Sequence, residues 1–276
     1  MNALQALLLA ALQGATELFP VSSLGHAVLL PALAGWHFNQ AAPIFLPFLV
    51  MLHLGTAAAL LLYFRSEWWL IALGVLGLSD PHQRQESRRV FLLIVVATVP
   101  AVIIGFALQH FVQRLFGTPV AAALFLIANA ALLLVGERLR GSGRRALDTL
   151  TPTDAVVIGL WQCLAFLPGI SRSGATMVGG LARGIDHEDA AHFSFLIATP
   201  VILGAGVLEV PKLLRAGMPH GAFGIAVIAA VAAGVTAFAS TAFLMRYFRN
   251  HDAWALAPFA WYCAALGLGA LVMLYA

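Results

Sequence analysis

Six apolar stretches, each long enough to cross a lipid bilayer, dominate this sequence of 276 residues. A helix of about 20 apolar residues spans the roughly 30 Å hydrocarbon layer of a membrane. Because 61% of the residues are hydrophobic and only 10% are charged, no polar segment remains for a separate soluble domain. The sequence therefore predicts a single all-α, polytopic integral membrane domain over residues 1–276. The six predicted transmembrane helices lie at about 43–64, 90–110, 118–136, 190–211, 221–245 and 254–275.

Two further apolar regions, about 3–33 and 153–184, are interrupted near their middle by Pro, Gly and Ser. The interruptions read FPVSSLG in the first region and LPGISRSG in the second. Each region fits either one kinked helix or a re-entrant helical hairpin. Non-helical backbone at membrane depth is tolerated only where protein buries it or where it lines a wet cavity. We therefore favour two re-entrant hairpins that meet around a site.

Arginine is distributed unevenly between the loops that this topology predicts. If both hairpins enter and leave on one side, the loops at 65–89, 138–150, 183–189 and 246–252 share one face. Excess arginine marks cytoplasmic loops, so that face is predicted to be cytoplasmic and the first hairpin to open outward. The same excess explains the net charge of +3 without a nucleic-acid partner. The arginines on that face are Arg65, Arg84, Arg88, Arg89, Arg138, Arg140, Arg144, Arg145, Arg183, Arg246 and Arg249, against Arg114, Lys212 and Arg215 opposite.

The two halves of the chain, about 1–150 and 151–276, resemble each other. The stretch LQGATELFPVSSLG matches WQCLAFLPGISRSG, which pairs Gln13 with Gln162 and Pro20 with Pro168. Three predicted spans follow each stretch, and an odd number of spans reverses the second copy in the membrane. Such inverted repeats place a binding site near the bilayer midplane, where the two repeats meet.

Glu17 is the carboxylate that lies within an apolar segment beside a helix break. An ionisable group inside a bilayer is costly, which makes it a functional candidate. Gln13 lies four residues earlier and would project from the same helix face. Their oxygen atoms suit a hard divalent cation such as Mg²⁺ or Ca²⁺, shared with substrate phosphate oxygens. A structural ion pair between Glu17 and Arg172, or a polar helix end, remains an alternative.

The first break also contains hydroxyl groups close to an imidazole. Ser22 and Ser23 follow the proline, and His26 lies three residues after Ser23. A serine becomes a nucleophile when a base removes its proton, and His26 can reach Ser23 if the segment is helical. The alternative is that both serines only cap the second half-helix.

The second break has the composition of an anion-binding site. Arg172 is the basic residue that falls outside the predicted loops, and arginine binds phosphate oxygens through two parallel hydrogen bonds. The free N–H groups at the start of a half-helix also favour an anion. The predicted phosphate-binding residues are Ser171, Ser173, Gly174 and Thr176 beside it, together with Ser22 of the first break. A cation site, a hydroxyl and a base facing a phosphate cradle together indicate phosphoryl transfer.

These motifs closely resemble the bacterial undecaprenyl-diphosphate phosphatase family, also called bacitracin-resistance proteins. The resemblance rests on QGATE followed by PVSSLGH, and on PGISRSGAT about 150 residues later. It extends to LGTAAALLLYF, ATVPAVIIGF and FSFLIATPVILGA, in the order typical of the family. It implies a polytopic enzyme of the bacterial inner membrane that hydrolyses the terminal phosphate of undecaprenyl diphosphate. The lipid monophosphate would then be recycled in peptidoglycan synthesis.

The resemblance also implies roles for particular residues. The acidic motif of the family falls on Gln13 and Glu17, its serine and histidine on Ser23 and His26, and its phosphate-binding arginine on Arg172. Ser171, Ser173 and Thr176 fall within the phosphate motif. Many members have Glu at the position of Gln13, so weaker binding of the divalent cation is expected here. Many relatives carry Gln where this chain has His53, for which we expect a packing or hydrogen-bonding role, although it could face the site.

The predicted reaction begins when the diphosphate of a membrane-embedded polyprenyl lipid enters from the outer side. His26 then deprotonates Ser23, which attacks the terminal phosphorus, and water hydrolyses the phosphoserine. Direct attack by water, or by His26 itself, fits the same residues. A flippase or transporter of a polyprenyl phosphate is the competing function, because transporters also use inverted repeats with broken helices. The preferred chain length is left open, as is a homodimer.

Overall fold

The computed structural model describes residues 2–36, 45–115, 118–140, 145–215 and 222–276. Within these ranges the chain forms helices and no β-strand. Two short 3₁₀ turns, Leu147–Thr149 and Cys163–Phe166, join the α-helices. The α-helices are α1 (Ala3–Thr16), α2 (Ser23–Leu33), α3 (Phe45–Tyr63), α4 (Arg65–Leu76), α5 (Pro81–Leu115), α6 (Pro119–Leu139), α7 (Pro152–Gln162), α8 (Arg172–Ala182), α9 (His187–Arg215), α10 (Ala222–Asn250) and α11 (Ala257–Tyr275).

Six of these helices are long and apolar enough to span a membrane, as the sequence predicts. The spans in α5, α9 and α10 extend beyond the predicted limits because polar residues continue the helix past the apolar stretch. The first residues of the predicted span 43–64 lie outside the described residues. The protein is therefore an all-α, multi-pass membrane protein. The spans are Phe45–Tyr63, Pro81–Leu108, Pro119–Leu139, His187–Pro211, Phe223–Asn250 and Ala257–Tyr275.

The break in the first interrupted region separates α1 from α2. Helix α1 ends at Thr16, and α2 begins after Ser22, whose Oγ accepts a hydrogen bond from the Gly25 N–H at 3.2 Å. The backbone of Ser22 has a φ of +67°, a conformation that is strained for a residue with a side chain. Helices α1 and α2 pack against each other, so the segment is a helical hairpin. Its re-entrant course in the membrane stays a prediction.

The second interrupted region has the same organisation. A capping box between Thr151 and Asp154 starts α7, and a 3₁₀ turn leads into the break. Gly169 has a φ of +121°, and a Cβ there would collide with the Ala122 carbonyl oxygen, so this position requires glycine. The side chain of Ser171 caps α8, which packs back against α7.

Residues 65–89, which the sequence analysis treated as a loop, contain a helix. Gly77 directly follows the last residue of α4, and its φ of +79° is the left-handed conformation common after a helix. Asp80 then caps the start of α5 through the Gln83 N–H at 3.1 Å. The chain therefore turns tightly between two helices. The sequence did not predict α4 because this helix has little amphipathic periodicity.

Ion pairs join several of the loops predicted to share one face, both directly and through Asp154 at the start of α7. Arg145 and Arg183 bind Asp154 at 2.8 and 2.6 Å, and Arg249 binds Glu188 at 3.0 Å. Burial raises the pKa of Asp154, but the hydrogen bonds from the two arginines and Thr151 outweigh it and hold this pKa well below its ordinary value. The predicted Arg144 and the side chains of Arg114, Lys212 and Arg215 lie outside the described residues.

The two halves pack in the pattern expected of an inverted repeat. Helix α1 of the first half packs on α10, the middle span of the second half, and α7 packs on α5, the middle span of the first. A glycine makes each contact close: a Cβ at Gly14 would collide with Ala233, and one at Gly159 would collide with Ala97. Each hairpin is thereby held by the opposite half, which brings the two breaks together.

Candidate active site

The two helix breaks lie against each other inside the protein. A Cβ at Gly25 would lie only 3.2 Å from the Gly169 Cα, so glycines allow the backbones to touch. Asn129 of α6 joins both breaks: its Nδ2 donates to the Pro20 carbonyl at 2.9 Å, and its Oδ1 accepts from the Ser171 N–H at 2.9 Å. The predicted convergence of the two interrupted regions is therefore confirmed.

Glu17 is the centre of a buried polar cluster. The Ser23 Oγ donates to Glu17 Oε2 at 2.5 Å, and His53 Nε2 lies 3.1 Å from the same oxygen. Gln13 Nε2 lies 3.5 Å from Oε2, while an Arg172 guanidinium nitrogen lies 3.5 Å from Oε1. The carboxylate from the first break thus meets the guanidinium from the second break directly.

Arg172 begins α8 and is almost entirely buried. One of its terminal nitrogens donates to the Ser194 carbonyl at 3.3 Å, and the other faces Glu17. Its Nε has no hydrogen-bond partner among the described residues. A buried donor without a partner is unfavourable. This nitrogen is itself shielded from the cavity, so it reaches an anion only when the Arg172 side chain moves.

A cavity of about 260 Å³ joins these groups. Its polar surface comes from Glu17, Ser22, Ser23, His53, Gln162, Ser171 and Arg172. Its remaining walls are apolar and come mainly from α3 and α9, for example Leu49 and Ile202, with Ala101 of α5 and Phe166 also contributing. The cavity thus combines one charged end with an apolar lining, as an amphiphilic ligand requires.

The structure does not bring His26 to Ser23, contrary to the role we predicted for this histidine. Its Nδ1 lies 2.7 Å from the Ser22 carbonyl oxygen and must donate to it, so the neutral ring accepts through Nε2. That Nε2 lies 2.8 Å from the Tyr262 hydroxyl. The Ser23 hydroxyl donates its hydrogen bond to Glu17 instead.

The residues predicted to bind phosphate fall into two groups. Ser22 and Ser171 line the cavity beside Arg172, whereas the other three help to build the start of α8. Ser173 Oγ donates to the Phe19 carbonyl of the first break at 3.0 Å. Thr176 Oγ1 donates to the Arg172 carbonyl at 2.9 Å and contacts Ser194 Oγ at 2.7 Å. Gly174 is buried and its N–H donates to Ser171 Oγ at 3.1 Å.

Three residues that shape this site were not predicted to do so: Asn129, Tyr262 and Gln162. Asn129 and Tyr262 make their contacts across more than 100 residues of sequence, which no local pattern records. An asparagine within an apolar span was an available signal for the first. Gln162, which the repeat had paired with Gln13, lines the cavity. His53, for which a packing or hydrogen-bonding role was expected and a place facing the site was left open, lies in the cavity wall and pairs with Glu17.

The donors around Glu17 fit a divalent cation if phosphate oxygens complete its shell. Glu17 and His53 present an oxygen and a nitrogen atom to one point, beside the Ser23 hydroxyl, whereas Gln13 turns its NH₂ group to Glu17 and its Oε1 to Thr56. Among the described residues, no group of three or more His, Cys, Asp or Glu forms a metal site. The protein therefore offers a partial site, of the kind that shares a cation with its substrate.

Comparison with known proteins gives a consistent result along the whole chain. The family described as bacitracin resistance protein BacA matches residues 6–269. A protein of Granulibacter bethesdensis named undecaprenyl-diphosphatase is 61% identical, covering 100% of this chain and 98% of the relative. One of Acidiphilium cryptum with the same name is 60% identical, covering 99% of each. The undecaprenyl-diphosphatase 2 of Chromobacterium violaceum is 46% identical, again over 99% of each.

Proposed function

The chain belongs to the bacitracin resistance protein BacA family, and we infer that it is an enzyme that hydrolyses undecaprenyl diphosphate. It removes the terminal phosphate and yields undecaprenyl phosphate and inorganic phosphate. The observation that carries this assignment is the meeting of Ser23, Glu17 and Arg172 in one cavity with apolar walls. A hydroxyl bonded to a carboxylate, opposite a guanidinium, supplies a nucleophile, a proton acceptor and a phosphate ligand.

The substrate binds with its diphosphate at the polar end of the cavity. Arg172 holds the phosphate oxygens through its charge and its parallel N–H donors, and the partial positive charge at the start of α8 favours them further. Ser22 and Ser171 add hydroxyl groups at the rim. The isoprenyl chain follows the apolar walls toward the lipid. Binding of this kind lowers the barrier mainly by positioning the diphosphate and neutralising its oxygens.

Ser23 is the nucleophile in the reaction that we propose. Its oxygen forms a bond to the terminal phosphorus while the bond from phosphorus to the bridging oxygen breaks, and undecaprenyl phosphate leaves. The serine proton passes to Glu17, whose Oε2 already accepts its hydrogen bond. Water then attacks the phosphoserine, returns the hydroxyl and releases phosphate. His26 acts as a positioning residue that fixes the Ser22 carbonyl and, with it, the break.

A divalent cation, Mg²⁺ or Ca²⁺, is proposed at Glu17 and Gln13. When bound, the cation would neutralise the negative charge on the phosphate oxygens. Arg172 alone does not balance that charge, because Glu17 beside it is also negative. The support for it is the lone pair of His53 Nε2 beside Glu17 Oε2, and Gln13 would join the site by turning its amide oxygen from Thr56 to the cation. Treatment with a chelator is expected to lower phosphate release, and full activity in the chelator would contradict the cation.

A polyprenyl-phosphate flippase or transporter is the less favoured function. Such a protein needs Arg172 and the helix N-terminus to bind its anion, but it has no use for a serine bonded to a carboxylate. The curated relatives are also named for hydrolysis. Phosphate release by the purified protein separates the two functions.

The membrane and orientation proposed are the bacterial inner membrane with the cavity open to the outside. The support is the concentration of arginine on the opposite loop face, which the contacts of Arg145, Arg183 and Arg249 hold together. In this orientation the diphosphate reaches the site from the outer leaflet.

The test of the function is phosphate release from undecaprenyl diphosphate by the full chain in detergent. We expect turnover by the unaltered protein and its loss in Ser23→Ala, which removes the nucleophile. Ser240→Ala is the control, because this serine lies on α10 and does not line the cavity. Turnover at the unaltered rate in Ser23→Ala would remove Ser23 as nucleophile, and no release by the unaltered protein would remove the phosphatase function.

A further inference from the structure

His53 and Glu17 face each other through two atoms that cannot satisfy one another in their usual states. His53 Nδ1 lies 2.7 Å from the Leu49 carbonyl oxygen, which only accepts, so Nδ1 carries a hydrogen. The Nε2 of the neutral ring is then a bare lone pair. It lies 3.1 Å from Glu17 Oε2, which is itself an acceptor. Two acceptors at this separation require a shared proton or a cation between them.

The surroundings of the pair favour a cation. A ring N–H that donates to a backbone carbonyl is the arrangement that orients metal-binding histidines and fixes their tautomer. The carbonyl of Leu49 belongs to the same helix, α3, so the ring is held rigidly at the cavity wall. The Gln13 NH₂ group and the Ser23 hydroxyl donate hydrogen bonds to the same carboxylate oxygen, so the lone pair of His53 Nε2 is the electron-pair donor nearest to it.

The small number of carboxylates at this point also favours a histidine ligand. Glu17 is the carboxylate at this point, and the residue four positions before it is the neutral Gln13. A divalent cation held by one carboxylate needs another strong donor besides the phosphate. Imidazole is such a donor, and it lies within reach here. The side chain of His53 is only 23% exposed, so water competes poorly for the position.

On the premise of the proposed phosphatase function, we propose that His53 is a ligand of the divalent cation, together with Glu17. The consequence is a change of metal preference. Imidazole suits Co²⁺ and Zn²⁺ better than it suits Mg²⁺ or Ca²⁺, which prefer oxygen ligands. This site therefore binds transition metals more tightly than a site built from oxygen donors would.

The test compares metal binding by the full chain in detergent, after chelation, between the unaltered protein and His53→Gln. Glutamine keeps a polar side chain but replaces the imidazole nitrogen. We expect Co²⁺ binding to weaken by about tenfold or more, with a much smaller change for Mg²⁺. The visible absorption of bound Co²⁺ should also change. His192→Gln is the matched control, because His192 pairs with Glu67 at 2.7 Å outside the cavity.

Equal Co²⁺ affinity in His53→Gln and the unaltered protein overturns the proposal, and so does an equal loss for Co²⁺ and Mg²⁺. Either result means that a proton alone links His53 to Glu17. If the variant does not fold, spin-echo spectra of Mn²⁺ bound to the unaltered protein decide, since an imidazole ligand gives ¹⁴N modulation and its absence overturns the proposal. Phosphate release is measured separately: metal binding through His53 without any release contradicts only the phosphatase function.

Discussion

Arg172 and Glu17 form a buried pair whose charges the interior of a membrane protein disfavours. Their separation of 3.5 Å is long for a hydrogen-bonded ion pair. A purely structural pair would be expected to close that distance, because unscreened charges in a poorly polar interior gain most from direct contact. The open geometry, and the Arg172 Nε without a partner, suit a pair that separates further to admit a phosphate.

Arg172→Lys tests the role of the guanidinium and keeps the charge. Lysine cannot present two parallel donors to one phosphate, so at least one charge-assisted hydrogen bond is lost. Such a bond contributes about 1.5–3 kcal/mol, which corresponds to a fall in kcat/KM of roughly 10- to 100-fold. Steady-state phosphate release measures it. Arg249→Lys, at an exposed pair with Glu188, should stay near the unaltered rate. Equal rates for both variants would show that Arg172 acts only as a point charge.

Asn129→Ala tests how much one side chain contributes to the convergence of the breaks. The substitution leaves the Pro20 carbonyl and the Ser171 N–H buried without a partner, at about 1–3 kcal/mol each. We expect a lower unfolding temperature in detergent and a large loss of phosphate release. Thr241→Ala is the comparison, because this buried hydroxyl bonds only to its own helix, at Ala237. If the unfolding temperature falls by a similarly small amount in both variants, the two breaks meet without the help of Asn129.

At the scale of helices, the sequence predicts what depends on local pattern. The spans follow from runs of apolar residues, and both breaks follow from Pro and Gly, which interrupt helices wherever they occur. Helix α4 was missed because it directly follows an apolar span and shows no polar face. The hydrogen bond between His26 Nε2 and the Tyr262 hydroxyl was also not predicted. That contact depends on how α11 packs on α2, which a single sequence does not encode locally.

Helix α4 is predicted to lie within the membrane interface. Trp69 and Leu76 are 65% and 70% exposed, and Leu78 beyond the helix is 70% exposed, so water would contact a large apolar surface. A nitroxide attached at Leu76→Cys should collide with oxygen more often than with a water-soluble nickel complex, as expected in lipid. One at Ser66→Cys, at the start of the helix, should show the opposite preference. Predominant collisions with nickel at both positions would place α4 in water.

At the scale of the whole molecule, neither half of the chain contains a complete site. The first half supplies Glu17, Ser23 and His53, and the second supplies Arg172 and Gln162. Each hairpin is packed on the middle span of the other half, so the site forms only when the halves interlock. The two halves therefore share an architecture, while their breaks differ in chemistry. The first break carries the reactive groups, and the second break carries the anion-binding arginine.

The same architecture determines on which side of the membrane each loop lies, and cysteine labelling tests this. If the arginine-rich face is cytoplasmic, the turn before α6 lies outside. A membrane-impermeant maleimide should then label Thr118→Cys in intact cells, and Ser66→Cys only after the cells are opened. Cys163 is replaced by Ala in both, whereas Cys263 is fully buried and stays. Labelling of Ser66→Cys in intact cells, with Thr118→Cys protected, would invert the protein and place its catalytic cavity on the cytoplasmic side. The expected pattern follows because transferring the eleven arginines of the loop face across the bilayer is strongly disfavoured.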